Sequence, residues 1–294
     1  MFQLNRPILA AVALDETTDE VLRQADALAR SHKVDLHTCH VLPELYAVRP
    51  LFPHLHLDDA LKLAELEASV RNALLKRIRA VIRGDPGGID LIVEQGTAHA
   101  GILRAAENIG AGIIVVGGKA NPEGLAVLGG AAECVVRYAH CPVLVARPSP
   151  AGRVLAATDF SDPALPAIEA AASEARRREA ELAIIHVIEL LPLVLSAGDG
   201  VIEGVLPIDV SEQLTTACRQ RLDECVHRFE AKGGGLLRHG PAAPAILNAA
   251  VQLPAQLLVI GTHGRTGLGR LALGSVAEAV VRAAPCSTLV VRLA

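Results

Sequence analysis

The sequence contains almost no aromatic residues. Among its 294 residues there is no tryptophan, and the aromatic fraction is only 2%. Proteins that bind single-stranded nucleic acid commonly stack the bases on aromatic side chains, so this mode of recognition is hardly open to the chain. The same scarcity means that the hydrophobic core must be built from alanine, valine, leucine and isoleucine.

The sequence also lacks a strong charge imbalance and long apolar runs. Its formal net charge of −4 provides no global attraction to nucleic acid or to acidic membranes. No uninterrupted apolar run approaches the roughly 20 residues of a membrane-spanning helix. The first residues, Met1 to Pro7, show no secretory leader. With 51% apolar and 20% charged residues, we expect a globular protein with no nucleic-acid partner and no membrane span.

The six cysteines include no CxxC pair. Scattered cysteines in a chain of this length are typical of reduced thiols at apolar positions, which favours a cytoplasmic location. Cys141 and Cys286 stand at matching places before two similar apolar segments. We expect both to be small buried side chains.

The chain repeats itself after about 145 residues. The matching segments are residues 8–11 with 154–157, His40-Val41 with His186-Val187, 113–117 with 257–261, and 141–145 with 286–290. Prolines and a glycine between residues 147 and 152 suit a linker. The sequence therefore predicts two domains, residues 1–148 and 149–294.

Within each half, apolar strand patterns alternate with helical ones. In the second half the predicted strands are 154–158, 182–187, 236–239, 257–260 and 287–291, and the predicted helices are 162–179, 210–232, 243–251 and one that begins at Ser275. This alternation predicts an α/β fold in which parallel strands are covered by helices on both faces. Ligands of such sheets bind at the carboxyl ends of the strands, where the strand order reverses.

The most specific motif lies at such a strand end. Gly261-Thr262-His263-Gly264 follows an apolar run, and nine residues later Gly274-Ser275 opens a helical pattern. Glycines that leave a strand and a Gly-Ser that enters a helix allow backbone N–H groups to surround an anion, which the helix dipole also attracts. A single glycine would suit an ordinary turn, but this combination indicates a phosphate site.

The loop, its spacing and the order of the surrounding segments resemble the universal stress protein family, and in particular its tandem members, which carry two copies of the domain in one chain. The resemblance implies two repeated α/β domains, each a five-stranded parallel sheet with helices on both faces, of the nucleotide-binding, Rossmann-like type. It also implies that ATP, with or without Mg²⁺, binds where this loop lies.

The resemblance further implies a set of nucleotide-binding residues in the second half: Thr158, Asp159, Val187, Gly261, Gly264, Arg265, Gly274, Ser275 and Val276. In this set Asp159 faces the ribose or adenine, and Val187 reads the adenine edge through its backbone. The remaining residues lie near the sugar and phosphates. Asp159 could instead only form the turn, and Arg265 could simply be solvated.

The first half departs from this pattern. Ala13 replaces the aspartate, although Asp15 lies two residues further on, and Ala120 stands where the second loop glycine belongs. No hydroxyl corresponds to Ser275. An alanine with positive φ would cost roughly 1 kcal/mol or more, so we expect a different loop shape and no nucleotide. Lys119 could compensate as an added positive charge.

Several other features have both a structural and a functional interpretation. His40 and His186 recur in both halves, which favours a buried, hydrogen-bonded role over a catalytic one. His54 and His56 have a spacing that can hold a metal, but nothing completes the site, so a surface loop is favoured. The run 176–178 of three arginines is interpreted as a solvated helix end.

Two apolar, proline-broken insertions, residues 43–57 and 189–208, follow the second strand of each half. We interpret them as lids or contact surfaces, because exposed apolar patches of this kind often bind partners. The segments 143–145 and 288–291 look like edge strands, and their pairing within the chain would protect both. Single-copy family members pair through this strand, so the resemblance implies an intrachain pseudo-dimer. A further homodimer remains open.

The leading hypothesis is an ATP-binding stress-response module, read by an unidentified protein partner. The sequence has no Walker lysine and no evident catalytic constellation, so we expect no enzymatic activity beyond slow, incidental ATP hydrolysis. The alternative is a nucleotide-independent interaction protein that binds a lipid-like ligand or a protein through its apolar insertions. An adenine-nucleotide-dependent enzyme is a third hypothesis, for which no nucleophile is found.

The site assignment predicts that Gly264→Val abolishes ATP binding while the fold stays intact, because a branched side chain would block the approach of the loop to the nucleotide. Calorimetric titration with ATP, combined with circular dichroism, measures both quantities. Retained ATP affinity in a folded variant would contradict the assignment.

Overall fold

The computed structural model describes residues 4–43, 59–82, 89–120, 126–189, 193–197, 200–204, 208–262 and 273–292. The first repeat comprises β1 (Ile8–Ala11), α1 (Thr18–His32), β2 (Leu36–Leu42), α2 (Asp59–Val81), β3 (Asp90–Gln95), α3 (Ala98–Asn108), β4 (Ile113–Gly117), β5 (Lys119–Ala120), β6 (Ala126–Val127), α4 (Gly130–Tyr138) and β7 (Val143–Ala146). None of the helices in these ranges, or in those of the second repeat, is long and apolar enough to cross a membrane.

The second repeat has the same order of sheet strands and α-helices, but among the described residues its short hairpin follows the second strand of the repeat, whereas that of the first repeat follows the fourth. It comprises β8 (Arg153–Ala157), a 3-10 helix (Asp162–Ala164), α5 (Leu165–Arg177), β9 (Leu182–Ile188), β10 (Leu193–Ala197), β11 (Gly200–Gly204), α6 (Ile208–Arg228), β12 (Gly235–His239), α7 (Ala242–Gln252), β13 (Ala255–Gly261), α8 (Ser275–Ala283) and β14 (Ser287–Val291). The predicted strands and helices are all present, with ends shifted by a few residues. The antiparallel pair β10–β11 lies in the insertion for which the sequence predicted no strands.

The start of the first helix in the second repeat differs from the prediction. Instead of an α-helix opened by Asp162, the chain forms a 3-10 turn, and the α-helix begins only at Leu165. Pro166 explains the delay, because it has no N–H to donate to the carbonyl four residues earlier. Such a proline fits only in the first helical turn, where no donor is required.

The two repeats share one ten-stranded sheet. Its strand order is β12-β9-β8-β13-β14-β7-β4-β1-β2-β3. Strands pair in parallel within each repeat, whereas β14 and β7 pair antiparallel, with Leu289 opposite Leu144. The predicted pairing of the terminal strands within the chain is therefore confirmed, and the two five-stranded sheets are continuous.

The core consists of two aliphatic layers, one on each face of the sheet. Because side chains alternate along a strand, Ile8 and Ala10 contact the layer formed with α1, α2, α5 and α6. Leu9 and Ala11 contact the layer formed with α3, α4, α7 and α8. The largest fully buried side chains among the described residues are isoleucines and leucines, as the lack of aromatic residues predicts. Cys141 and Cys286 are buried, as expected.

The arginine run at the end of α5 is not a solvated helix end. Arg176 is exposed, but Arg177 and Arg178 both bind the carboxylate of Glu174, at 2.6 and 3.1 Å, and Glu174 is only 2% exposed. Burial alone would raise the pKa of this carboxyl, yet the two guanidinium groups outweigh burial and lower it. The sequence did not indicate this cluster because the burial of Glu174 depends on tertiary packing.

Candidate functional site

A cleft of about 460 Å³ opens at the carboxyl ends of β8, β9 and β13 in the second repeat. Strand order reverses between β8 and β13, so the cleft lies where ligands bind in sheets of this type. Its described lining residues are Ala157, Thr158, Asp159, Ala164, Ile185, His186, Val187, Ile188, Glu189, Leu214, Cys218, Ala242, Ile246, Ile260, Gly261, Thr262, Gly274, Ser275, Val276 and Ala277. The volume is within the usual range for small-molecule sites.

Most of the residues assigned from the sequence line this one cleft. They are Thr158, Asp159, Val187, Gly261, Gly274, Ser275 and Val276. Gly264 and Arg265, as well as His54 and His56 of the first insertion, lie outside the described residues. Segments that are about 115 residues apart in sequence thus contribute to a single site.

A tight turn fixes Asp159 at the rim of the cleft. Its Oδ1 atom accepts hydrogen bonds from the backbone N–H and the hydroxyl of Ser161, at 3.0 and 2.6 Å. The hydroxyl of Thr158 accepts a bond from the backbone N–H of Phe160 at 3.0 Å. Asp159 therefore does form a turn, as one interpretation of the sequence held, and it does so while it lines the cleft.

Phe160 lies beside the cleft and contacts one of its lining residues, which the sequence did not indicate. Its backbone lies in the left-handed region, with φ of 62°, which a bulky residue adopts only at a cost. The hydrogen bonds of the turn hold it there, and its ring stacks on that of His186 at 4.0 Å between centroids. Leu14 has nearly the same φ, 58°, at the matching position of the first repeat. The unusual conformation is thus a property of the fold, which no local sequence signal marks.

Both recurring histidines are hydrogen-bonded, as predicted, but only His186 is buried, whereas His40 is partly exposed. Nδ1 of His186 lies 2.8 Å from the carbonyl oxygen of Thr158, and Nδ1 of His40 lies 2.7 Å from that of Val12. A carbonyl can only accept, so Nδ1 carries the proton in both residues. Each histidine thereby ties the end of one strand to the end of its neighbour.

The other end of the cleft is the N-terminus of α8. Gly274 precedes the helix with extended backbone angles, and among the described residues no side chain caps the helix. The first N–H groups of a helix have no partner within it, so those near Ser275 and Val276 can bind a ligand. The Gly274 N–H donates to the carbonyl of Thr262 at 2.9 Å, which connects the helix start to the end of β13.

An apolar wall lies beside these polar groups, and the sequence did not predict its composition. Leu214 and Cys218 contribute one side of the wall from α6, and Ile246 contributes another from α7. Leu214 and Cys218 are four residues apart and therefore share a helix face. This spacing was visible in the sequence, but nothing local indicated that the face lines a cleft.

In the first repeat, side chains that follow β1 and β4 pair with one another. Nζ of Lys119 lies 2.6 Å from Asp15 and 3.4 Å from Glu16. Asp15 also accepts bonds from the backbone and hydroxyl of Thr17, at 3.0 and 2.7 Å. The loop around Lys119 pairs as the short hairpin β5–β6. The Lys119 ammonium group is therefore paired with carboxylates of the same repeat.

In the first repeat, α3 also packs closely against β2. A β-carbon placed on Gly101 would lie only 2.7 and 2.9 Å from the Val41 side chain, so α3 rests directly on the end of β2. In the second repeat Ala245 occupies the position that matches Gly101. A methyl group therefore stands in the second repeat where the first has only a hydrogen atom.

The model of the universal stress protein family matches the chain twice, over residues 5–147 and 151–292. A universal stress protein of Mycolicibacterium smegmatis is 27% identical over 299 residues, which cover 97% of this chain and 96% of the relative. A single-domain relative from Thermus aquaticus is 36% identical over 139 residues, 47% of this chain and 97% of its own length.

A solved structure has the same fold. The crystal structure of a universal stress protein from Archaeoglobus fulgidus superposes with a TM-score of 0.65 at 21% identity. The superposition covers 98% of this chain and 96% of that one. The two-repeat arrangement is thus shared along nearly the whole chain.

The ion pair between Asp15 and Lys119 in the first repeat predicts that removing the lysine lowers stability in a pH-dependent way. Burial tends to raise the pKa of Asp15, but hydrogen bonds from Lys119 and Thr17 outweigh it and lower the pKa. A carboxyl with a lowered pKa stabilises the fold above its unfolded pKa, and this contribution is lost as the pH falls. Lys119→Met should therefore reduce the free energy of unfolding by about 0.5 kcal/mol at pH 7. The difference should begin to shrink as the pH falls through about 4, and it should vanish once Asp15 is protonated in the folded protein as well.

Urea denaturation followed by circular dichroism at several pH values measures this difference. Lys232→Met is the matched control, since Lys232 is exposed and forms no ion pair with the described residues. A difference for Lys119→Met that stayed constant down to pH 3 would show that the ion pair is not its source.

Proposed function

Because this chain belongs to the universal stress protein family, we propose that its second repeat binds one adenine nucleotide, ATP in the first instance, and that its first repeat binds none. The observation that carries the proposal is the convergence of Asp159, the end of β9 and the open N-terminus of α8 around one cleft. The pairing of Lys119 with Asp15 in the first repeat, where Ala120 stands in place of the second loop glycine, supports the asymmetry.

The phosphates would bind at the start of α8. Backbone N–H groups at Ser275 and Val276 donate to phosphate oxygens there, and the helix dipole adds about half a positive charge. The hydroxyl of Ser275 adds a further donor. Gly274 allows close approach, since a β-carbon at that position would already lie 3.2 Å from the Thr262 carbonyl oxygen. Mg²⁺ can accompany the phosphates but is not required by this geometry.

The adenine would bind at the end of β9. The paired register of β8 and β9 ends at Ala157 opposite Ile185, so Val187 lies beyond the end of β8. Its backbone amide and carbonyl can therefore pair with the polar edge of a base. Leu214 and Ile246 supply the apolar contacts that an aromatic base requires.

The bound nucleotide would serve as a signal rather than as a substrate. Its binding would order the loop between Gly264 and Gly274 and favour a conformation that a protein partner recognises. Oδ1 of Asp159 and Nδ1 of His186 already bind groups of the protein, so neither atom is positioned to activate water. We therefore propose no enzymatic role beyond slow hydrolysis. The six free thiols favour the cytoplasm as the site of action.

A nucleotide-independent interaction protein remains the alternative. The hairpin β10–β11 gives one of the two apolar insertions a defined backbone that a partner could contact. The other insertion, residues 43–57, lies almost wholly outside the described residues. The alternative predicts that the chain functions equally well when its nucleotide cleft is blocked.

The Ser275→Asp variant distinguishes an effect on nucleotide binding from an effect on stability. A carboxylate in the first turn of α8 interacts favourably with the helix dipole, so the melting temperature should be unchanged or higher. The same charge should repel phosphate and weaken ATP binding at least tenfold. Calorimetric titration and thermal denaturation measure the two effects.

Gly130→Asp provides the matched control at the first residue of α4. Gly130 occupies the equivalent helix start in the first repeat, where a β-carbon would meet no atom within 4 Å. It should leave ATP affinity unchanged. Equal loss in both variants, or undiminished binding by Ser275→Asp, would contradict the proposed phosphate position.

A further inference from the structure

Arg147 is a buried cation at the junction of the two repeats. It follows β7 of the first repeat and is only 4% exposed. Its Nη2 donates to the carbonyl oxygen of Val281 at 2.9 Å, and its Nη1 lies 3.5 Å from that of Cys286. No carboxylate among the described residues forms an ion pair with it. The guanidinium thus depends on carbonyl groups of the second repeat for its stabilisation.

The main partner of Arg147 is the C-terminal end of α8. Val281 is in the last turn of this helix, where carbonyl groups have no partner within the helix and the dipole is negative. The other end of the same helix forms the phosphate end of the cleft. Because α8 has only 9 residues, an arginine that fixes one end also restricts the position of the other.

Other contacts between the repeats also converge on α8. Arg137 of α4 pairs with Glu278 at 3.0 Å, and Arg282 pairs with Glu133 of α4 at 3.0 Å. The strand β6, part of the closed loop of the first repeat, packs against α8. The first repeat therefore holds α8 from several directions, and Arg147 is the most buried of these contacts.

The loop of the first repeat supports Arg147 in turn. A β-carbon on Gly118 would lie 2.7 Å from Nε of Arg147 and 2.8 Å from Val145. Gly118 follows β4 in the loop that lacks the nucleotide motif. The degenerate loop thus packs on the arginine that holds the helix of the intact site.

The second repeat contains a matching arginine. Arg292 follows β14 and donates from Nη2 to the carbonyl oxygens of Val136 and Arg137, at 3.2 and 2.8 Å. These carbonyls belong to the last turn of α4, the helix without an intact nucleotide loop. Arg292 therefore makes the same kind of contact as Arg147, but the helix that it contacts does not border the proposed nucleotide site.

We propose that Arg147 is a positioning residue for the nucleotide site of the second repeat. It holds α8 where the N–H groups of the first turn meet the phosphates, and this support is what the degenerate first repeat contributes to binding. The inference rests on the proposed nucleotide binding and adds to it a dependence of one repeat on the other.

The test compares Arg147→Met with Arg292→Met in the full chain. Methionine fills much of the same volume and removes a buried charge that has no carboxylate partner among the described residues, so we expect the variant to fold. Arg147→Met should raise the Kd for ATP at least tenfold, whereas Arg292→Met should change it less than twofold. Arg147→Lys keeps the charge but reaches fewer carbonyls, and it should give an intermediate Kd.

Hydrogen exchange without nucleotide provides a second readout. Arg147→Met should speed exchange of the amides of α8, and Arg292→Met those of α4. Equal Kd changes in the two methionine variants would indicate a general loss of stability and overturn the proposal. Unchanged Kd and unchanged exchange in Arg147→Met would also overturn it.

The two proposals fail in different ways. If the unaltered chain binds no ATP, the proposed function is wrong, and the exchange of the α8 amides still decides whether Arg147 positions that helix. If the unaltered chain binds ATP and Arg147→Met binds it equally well, nucleotide binding stands and the positioning role is wrong.

Discussion

The antiparallel pairing of β7 with β14 is the contact on which the arrangement of both repeats depends. It joins two five-stranded sheets into one and relates the repeats by a pseudo-twofold axis. It also buries the strand ends where Arg147 and Arg292 leave the sheet, so that each arginine reaches a helix of the opposite repeat. A shift of one residue in this register would turn the core side chains of β14 away from their layer.

Within this frame, a few side chains account for the difference between the repeats. The first repeat pairs Lys119 with Asp15, which also accepts a hydrogen bond from Thr17, and Gly101 lets α3 approach the end of β2. The second repeat has Ala245 at the position that matches Gly101, and Gly274 before α8 has no side chain that could cap the helix. The two halves thus share the order of strands and helices in the sheet, whereas the side chains at these strand ends differ.

Much of the fold was predictable because its signals are local or repeated. Apolar runs marked the strands, the internal repeat marked the two halves, and the edge-strand character of residues 288–291 indicated their pairing. Glycine spacing identified Gly274 and Ser275, which line the cleft with Asp159. The recurrence of His40 and His186 predicted a structural hydrogen bond, and both histidines make one.

The remaining features depend on tertiary contacts that no window of sequence contains. The left-handed backbone of Phe160 is held by a turn and by a ring on another strand. Leu214 and Cys218 line the cleft only because α6 packs across β9. Glu174 is buried once α5 packs on the sheet, and there it pairs with Arg177 and Arg178. Pro166 shifts the start of the α-helix to Leu165, which is a local effect. The sequence prediction missed it because Asp162 and Pro163 also suit the start of a helix.

The most direct test of one nucleotide site per chain is to denature the purified protein and to identify and count the released nucleotide by chromatography. The absence of tryptophan keeps the intrinsic absorbance low, so bound adenine would be visible before denaturation. The account predicts about one ATP per chain. Two per chain would contradict the proposal that the first repeat binds no nucleotide. No released nucleotide, together with no ATP-induced rise in melting temperature, would contradict nucleotide binding itself.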